Sequence, residues 1–449
     1  MGERYESEER EEFRKAAAVE NRVTLIALAI AVGLAISTFA AAARGQVGEM
    51  TALSSGYDPE NPSRVVIPTT IDVETGEVRV GNRVNDFYYA AEKLRDWMST
   101  YLSNPDPVKN SRTAGRALRL RIVCPALHRS GLIVDPTLLP AADQERIRAR
   151  GYVVDLSTWF DRLAAKDVPI DGGAVVGDGG TAIIGFRNCD GLVCINLAGA
   201  ERWTFEDVAI RTEPFTSVAA FVLLARDAAG NQASGHLFRG CQFGGGAALK
   251  AGETPTTLRH QGRAKYGVAV IGAEMARFEC CSFGVAPEPT FTGVLIATDS
   301  WDEFPGVDTR VNGARHTQTG IVFDQCAFTK RSESELPPTA SPIEIRGSVL
   351  NAQFRDCGFS VGLGGAGLLT VASETAYGRS GIPRGVVVSR GWFESGAAAV
   401  ICAVSNRADR HALYDVSIDL ATTGVYPWLD CRGIVGGQIT LTGGRSLPK

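Results

Sequence analysis

The sequence predicts an all-β fold, a single-stranded parallel β-helix, with a helix over its N-terminal end and one apolar span ahead of it. Two observations carry this: a six-residue phrase that recurs through the second half of the chain, and the parity of its marked positions. A third agrees with them. Fifty Gly, few Met and a mean hydropathy near zero suit a solenoid with many tight turns.

The phrase reads apolar, two spacers, small or apolar, one spacer, apolar. Its clear copies are Phe238/Cys241/Phe243, Phe278/Cys281/Phe283, Phe323/Cys326/Phe328 and Phe354/Cys357/Phe359. Weaker copies start at Phe186 (with Cys189), Phe205 (Val208, Ile210), Val388 (Gly391, Phe393) and Leu413 (Val416, Ile418). Self-similarity of this kind marks a stacked-repeat architecture. Residues two apart on a strand share a face, so Cys241 and Phe243 point the same way. Phe238 has the wrong parity unless the chain bends before Cys241. The residue at that bend is Asn188, Asp207, Gly240 or Asp356 in four copies, types that enter the left-handed region most cheaply. Each copy therefore reads as strand, sharp bend, strand, and coils stacked about 4.8 Å apart give a parallel β-helix. On these residues the chain resembles the right-handed parallel β-helix superfamily, pectate-lyase-like and phage-tailspike-like, from about Arg116 onward. The Arg-x-Pro-x-x-Arg pattern of some pectate lyases is missing, so no lyase residues are carried over.

Charge is nearly balanced, at −4, and no basic surplus or aromatic RNA-binding motif appears, which excludes a nucleic-acid partner. Of the ten cysteines, 189, 241, 281, 326 and 357 share one inward position. They read as a buried ladder of small hydrophobes rather than a disulfide framework. No Cys or His spacing suits a metal.

Residues 1–22 are polar, and 23–43 form an uncharged run long enough to cross a bilayer. Arg14, Lys15 and Arg22 precede it, which puts the N-terminus in the cytoplasm and the bulk of the chain periplasmic or extracellular, anchored in the inner membrane. A cleaved signal peptide ending at Ala41–Ala43 is the rival reading. Ala17–Glu20 resembles the start of a Flp-type pilin, without the Gly expected before the cut. Residues 44–84 read as a linker, with short strands at 63–67 and 77–80. Residues 85–185 read as a capping helix and lead-in, and 186–449 as the β-helix. Asn85 or Asp86 starts the helix, whose stripe of Phe87, Ala91, Leu94, Met98 and Tyr101 covers the open end of the solenoid. Strands are expected at 116–124 and 131–135, and helical stretches at 141–150 and 157–166. The Gly-rich stretch 171–184 opens the first coil, since no Lys-Ser/Thr of a phosphate loop follows it.

Excursions from a rigid scaffold are where sites are built, and the longest interval between copies runs from Phe278 to Phe323. It holds Asp299, Trp301, Asp302, Arg310 and His316. The second apolar strand of each coil ends on an acid in several coils: Asp227, Glu274, Asp299 and Glu374. Stacked in register they form an acid row, in which one carboxyl is forced to hold its proton or a cation such as calcium intervenes. Carboxyls about 5 Å apart suit retaining glycoside cleavage, and those about 6.5–9.5 Å apart leave room for a water. Glu274 is then the acid and Asp299 or Asp227 the nucleophile or base. Trp301, Asp302, Glu374 and Trp392 contact the sugar. The competing reading of these acids is solvated turn residues. Two functions stay open: a membrane-tethered protein that binds, and cleaves or modifies, a polysaccharide, or a structural subunit of a surface, appendage or virion-spike assembly. A homo-oligomer belongs to both.

Overall fold

The computed structural model describes residues 68–443 apart from 73–76, 104–117, 127–130, 158–169, 213–215, 228–230, 245–262, 285–291, 299–303, 305–317, 331–334, 375–379, 394–397, 421–428 and 432–433. The apolar run 23–43 lies outside the described residues. Among those described, no helix is long and apolar enough to cross a membrane.

Three parallel sheets run the length of the molecule. Sheet A starts with Glu77–Arg79, Leu118–Pro125 and Ile170–Asp178. It continues through Trp203–Glu206, Leu237–Arg239, Arg277–Glu279, Val322–Asp324 and Gln353–Arg355, and ends with Arg384–Phe393, His411–Leu420 and Ile434–Gly443. Sheet B stacks Leu132–Val134, Ala182–Phe186, Val208–Thr212, Gln242–Gly244, Ser282–Gly284, Ala327–Lys330 and Gly358–Val361, with the end of Arg384–Phe393 on top. Sheet C stacks nine strands from Tyr152–Asp155 to Leu429–Cys431. The chain visits A, B and C in turn and then pairs with itself one coil on. Parallel crossovers wind right-handed, and the fold is a right-handed parallel β-helix.

The core is built on two aromatic columns. In sheet A, Phe205, Phe238, Phe278, Phe323 and Phe354 stack ring on ring at 4.9, 4.8, 4.6 and 5.0 Å between centroids. In sheet B, Phe243, Phe283, Phe328, Phe359 and Phe393 do the same at 5.0, 4.9, 5.3 and 4.5 Å. The coil rise, about 4.8 Å, is also a good offset-stacking distance. Sheet C complements the second column in volume. Gly267 and Gly293 lie against Phe283's column, where an added Cβ would come within 3.5 Å of Phe243 and 3.1 Å of Phe283. One coil earlier the sheet B residue is the smaller Ile210, and sheet C places the buried Phe221 there.

The bend between sheets A and B is left-handed at Asp207, Gly240 and Asp356, as the residue types predict. It is equally so at Cys280, Gln325 and Arg390, with φ of 51–61° throughout. Packing of the flanking columns imposes the conformation there against local preference. Two weak copies of the phrase belong elsewhere. Phe186 pairs with Val134 and Thr212 at the far end of sheet B, so Asn188 and Cys189 turn the B-to-C corner. Cys189 therefore leaves the ladder, which runs Ala182, Val208, Cys241, Cys281, Cys326, Cys357, Gly391. In the last weak copy Ile418, not Leu413, continues the first column, because it pairs with Val388.

Helix α1 (Asp86–Ser103) lies over the N-terminal end, with Phe87, Ala91 and Leu94 buried in the main core beside Val78, Ile122 and Val134. Asn85 stands before it with φ 69°. Its side chain accepts from the Asp135 backbone N–H at 2.7 Å and donates to the Asp135 carbonyl at 2.9 Å. Those two bonds fix the cap to the first coil. Helix α2 (Ala141–Arg150) forms where expected, and the stretch 157–166 lies almost wholly outside the described residues. All nine described cysteines are free thiols.

Candidate functional site

The predicted acid row depends on the register of sheet C, and that register is offset by one. Leu223 pairs with Ala269 and Ala269 with Leu295, so Asp227 stands level with Ala273 rather than Glu274. Glu274 instead bridges to Ser234, which bridges to Glu201, in a row at the entrance to sheet A. Asp227 is buried and accepts from Asn231, at 2.8 Å from the backbone N–H and 2.9 Å from the side-chain amide. Its carboxylate ties a turn. Asp299, Trp301 and Asp302 lie outside the described residues. The backbone of Glu374 pairs with Ser380 in a short antiparallel ladder. Among the described residues no group of three or more His, Cys, Asp or Glu is placed to hold a metal.

Phe221 and Val222 both enter the main core, while Ala220 and Leu223 face outward, so the strand bends and its parity changes. The outer face of sheet C is itself apolar, with Leu223, Tyr266, Ile271 and Leu295 forming a second cluster. Phe304, from the long excursion, is buried in that cluster 6.0 Å from the Tyr266 ring. One ion pair interrupts this face, Arg346 to Glu344 at 2.6 Å, between Leu295 and Ala297 on one coil and Leu369 and Val371 on the next. Nearby Lys330 is 2% exposed, and burial lowers its pKa to about 8 against the opposing pull of Glu344. Nothing in the residue pattern marked this group, since Lys330 ends an ordinary strand alternation.

The outer face of sheet A is an alternating ladder of charge. Arg239 meets Glu279 at 2.9 Å and Glu206 at 3.5 Å, and Arg277 meets Glu279 at 2.7 Å and Asp324 at 3.4 Å. Each charge is shared between coils and largely neutralised, and exposed pairs of this kind contribute little each.

Sheet B is different. Its outward rows are Gln242, Ser282, Ala327, Gly358, Trp392 and, beside them, Gly244, Gly284, Thr329, Ser360. These form a flat strip of small or neutral hydrogen-bonding groups, crossing five coils over about 19 Å at the strand spacing. Arg211 closes one end, donating to Gln242 Oε1 at 3.1 Å. Trp392 closes the other. It is 38% exposed, and its ring lies over Gly358, where an added Cβ would approach Trp392 Cε3 at 3.0 Å. The small residue at 358 leaves the indole its place, since a side chain there would crowd the ring edge. The signal for this strip was the single spacer of each phrase, which is Gln, Ser, Ala or Gly in the four clear copies.

Titratable groups buried in the interior respond to their burial. His236 is 1% exposed and its Nδ1 accepts from the Trp203 backbone N–H at 3.2 Å. Burial lowers its pKa to about 4, against smaller opposing contributions from the Ala200 and Trp203 backbone. Burial likewise pushes the thiols of Cys281 and Cys326 far above the usual thiol range. The ladder thiols donate to the first-column carbonyls one coil below, Cys281 Sγ to Phe238 O and Cys326 Sγ to Phe278 O, both at 3.4 Å.

The fold and its surfaces define a right-handed parallel β-helix with one uncharged, aromatic-ended face. Among solved structures the chain is similar to the Agl-KA catalytic domain, with 11% identity over 78% of this chain and 55% of that one, at a TM-score of 0.40. It is also similar to ORF18 of Geobacillus virus E2, with 10% identity over 74% and 55% and a TM-score of 0.33. A third is PfbA, a surface adhesin of Streptococcus pneumoniae, with 8% identity over 80% and 86% and a TM-score of 0.32. The chain spans just over half the length of the first two. No family model and no curated protein matches it.

Proposed function

We propose that this protein binds a neutral polysaccharide, laid along the solenoid axis on the outer face of sheet B. The observation that carries this is Trp392, an indole exposed beside Gly358 at the end of a strip whose described coils present small or neutral side chains. An aromatic face packs on the apolar C–H face of a pyranose, while its edges and neighbours remain in water. Gln242, Ser282, Thr329 and Ser360 supply hydroxyl and amide partners on successive coils. The coil rise is comparable to the length of one sugar unit, so each coil can meet one residue of the polymer. Small side chains line the strip, and among the described residues its middle coils carry no outward charge, so a polyanion finds no counter-charge there while a neutral chain needs none.

Cleavage is a separate step in this reading. It stays attached to Asp299 and to Glu274, which does not share a row with Asp227. The expected tether at 23–43 would hold the binding face outside the membrane, and fractionation of the intact chain tests that part.

The binding test is a panel of neutral and acidic polysaccharides measured against wild type and Trp392→Ala. On the polymer that binds, Trp392→Ala weakens affinity about tenfold, as loss of one stacked ring implies. Wild-type binding that survives Trp392→Ala undiminished on every polymer would sink the proposal. Turnover on the same panel with Glu274→Gln and Asp299→Asn reads the cleavage step separately.

A further inference from the structure

The two ends of the solenoid are treated differently. At the N-terminal end α1 covers the core, with Phe87 and Leu94 buried. At the other end, Ile434–Gly443 pairs with His411–Leu420 on one edge and has no strand on its other edge among the described residues. Ile439 and Leu441 continue inward columns, paired with Val416 and Ile418, which are buried. Yet Ile439 is 45% exposed and Leu441 44% exposed. They are apolar core positions that no further coil covers among the described residues.

We propose that this edge pairs with a second copy of the chain, tail to tail about a twofold axis normal to sheet A. An unprotected strand edge is a template for pairing, and natural proteins usually blunt one with charge, Pro or a short strand. Ile434–Gly443 is ten residues long and contains no charged residue and no Pro, so a copy meets it without like-charge opposition. Head-to-tail stacking would build an open filament, but α1 occupies the head. Tail-to-tail pairing closes at two.

The twofold fixes a register. An axis normal to the sheet keeps inward faces inward, so the two cores join. Centring the antiparallel pair on Thr440 sets Ile439 opposite Leu441 of the partner subunit, and Leu441 opposite the partner's Ile439. Each exposed apolar side chain then covers the other. Thr440 faces Thr440 of the partner subunit on the outer surface, at a Cα separation of about 4.5–5.5 Å, within disulfide reach. One strand edge and four apolar side chains make a small interface, at the low end for specific association, so the dimer forms in the micromolar range.

The experiment uses the full chain in detergent with Cys280→Ser, which removes the thiol that is exposed among the described residues. Thr440→Cys in that background gives a covalent dimer on mild oxidation, whereas Ser417→Cys, in the same outward row one coil inside, gives only the background level. Light scattering shows a dimer that Leu441→Asp converts to monomer, with the melting transition retained because Leu441 is already exposed in the single chain. Equal crosslinking at 440 and 417 overturns the proposal. So does a wild type that is monomeric at high micromolar concentration, as when another segment of the same chain covers the edge. A dimer that Leu441→Asp leaves intact places the contact elsewhere and overturns it too.

Discussion

Acidification should weaken this fold through His236, and the size of the effect follows from its surroundings. The imidazole is enclosed between the Trp203 and Ala276 positions of an inward column and accepts a backbone N–H through Nδ1. Its pKa falls from 6.5 to about 4 on folding. The folded-state value lies below the unfolded one, so between those limits the unfolded chain binds the extra proton. Stability from this group is complete above about pH 6.5, declines as pH falls, and levels off below about 4. At about 1.4 kcal/mol per unit, the full loss is about 3 kcal/mol. Urea unfolding at intervals from pH 7.5 to 4 measures it, with His236→Gln as reference, since the amide oxygen can still accept from Trp203 and does not titrate. The wild-type free energy should fall relative to the variant by about 3 kcal/mol across the window. A difference that stays constant with pH would refute the reasoning, because the imidazole would then be protonated as easily inside as out.

Three further outcomes are expected. Phe278→Ala removes a ring stacked on both sides and should cost about 3–5 kcal/mol in urea unfolding; a loss under about 1 kcal/mol would mean the column repacks freely. Gln325→Gly should stabilise by about 0.5–1 kcal/mol, since the left-handed conformation at φ 54° costs a side chain more than glycine's added freedom costs the fold. In the native protein a thiol reagent should modify Cys280 and leave Cys241, Cys281, Cys326 and Cys357 untouched, so Cys280→Ser lowers the native thiol count by one while the total in denaturant also falls by only one.

The winding of the chain was legible because Phe and Cys recur at a spacing that only a bend can reconcile with strand parity. Asp207, Gly240 and Asp356 marked that bend by residue type. Cys280, Gln325 and Arg390 did not, because neighbouring coils force the left-handed conformation whatever side chain occupies the position. The acid row was misplaced by one residue for a related reason. Sheet C strands are apolar on both faces, so Leu223, Val270 and Leu295 look equivalent, and the double inward turn at Phe221 and Val222 leaves no alternation to read. Trp392 was visible in the sequence as a candidate sugar contact. The strip leading to it was hidden in a position that the repeat marks only as a spacer, and its meaning came from stacking Gln242, Ser282, Ala327 and Gly358 in one row.

The ring-on-ring columns also bear on how such a molecule can change length. Each coil between Phe278 and Phe354 offers the next the same flat aromatic surface above and below. A duplicated or excised turn bounded by two of these rings would meet its new neighbour through an interface of the kind it left, so the rod can grow or shorten by whole turns without redesign of its interior.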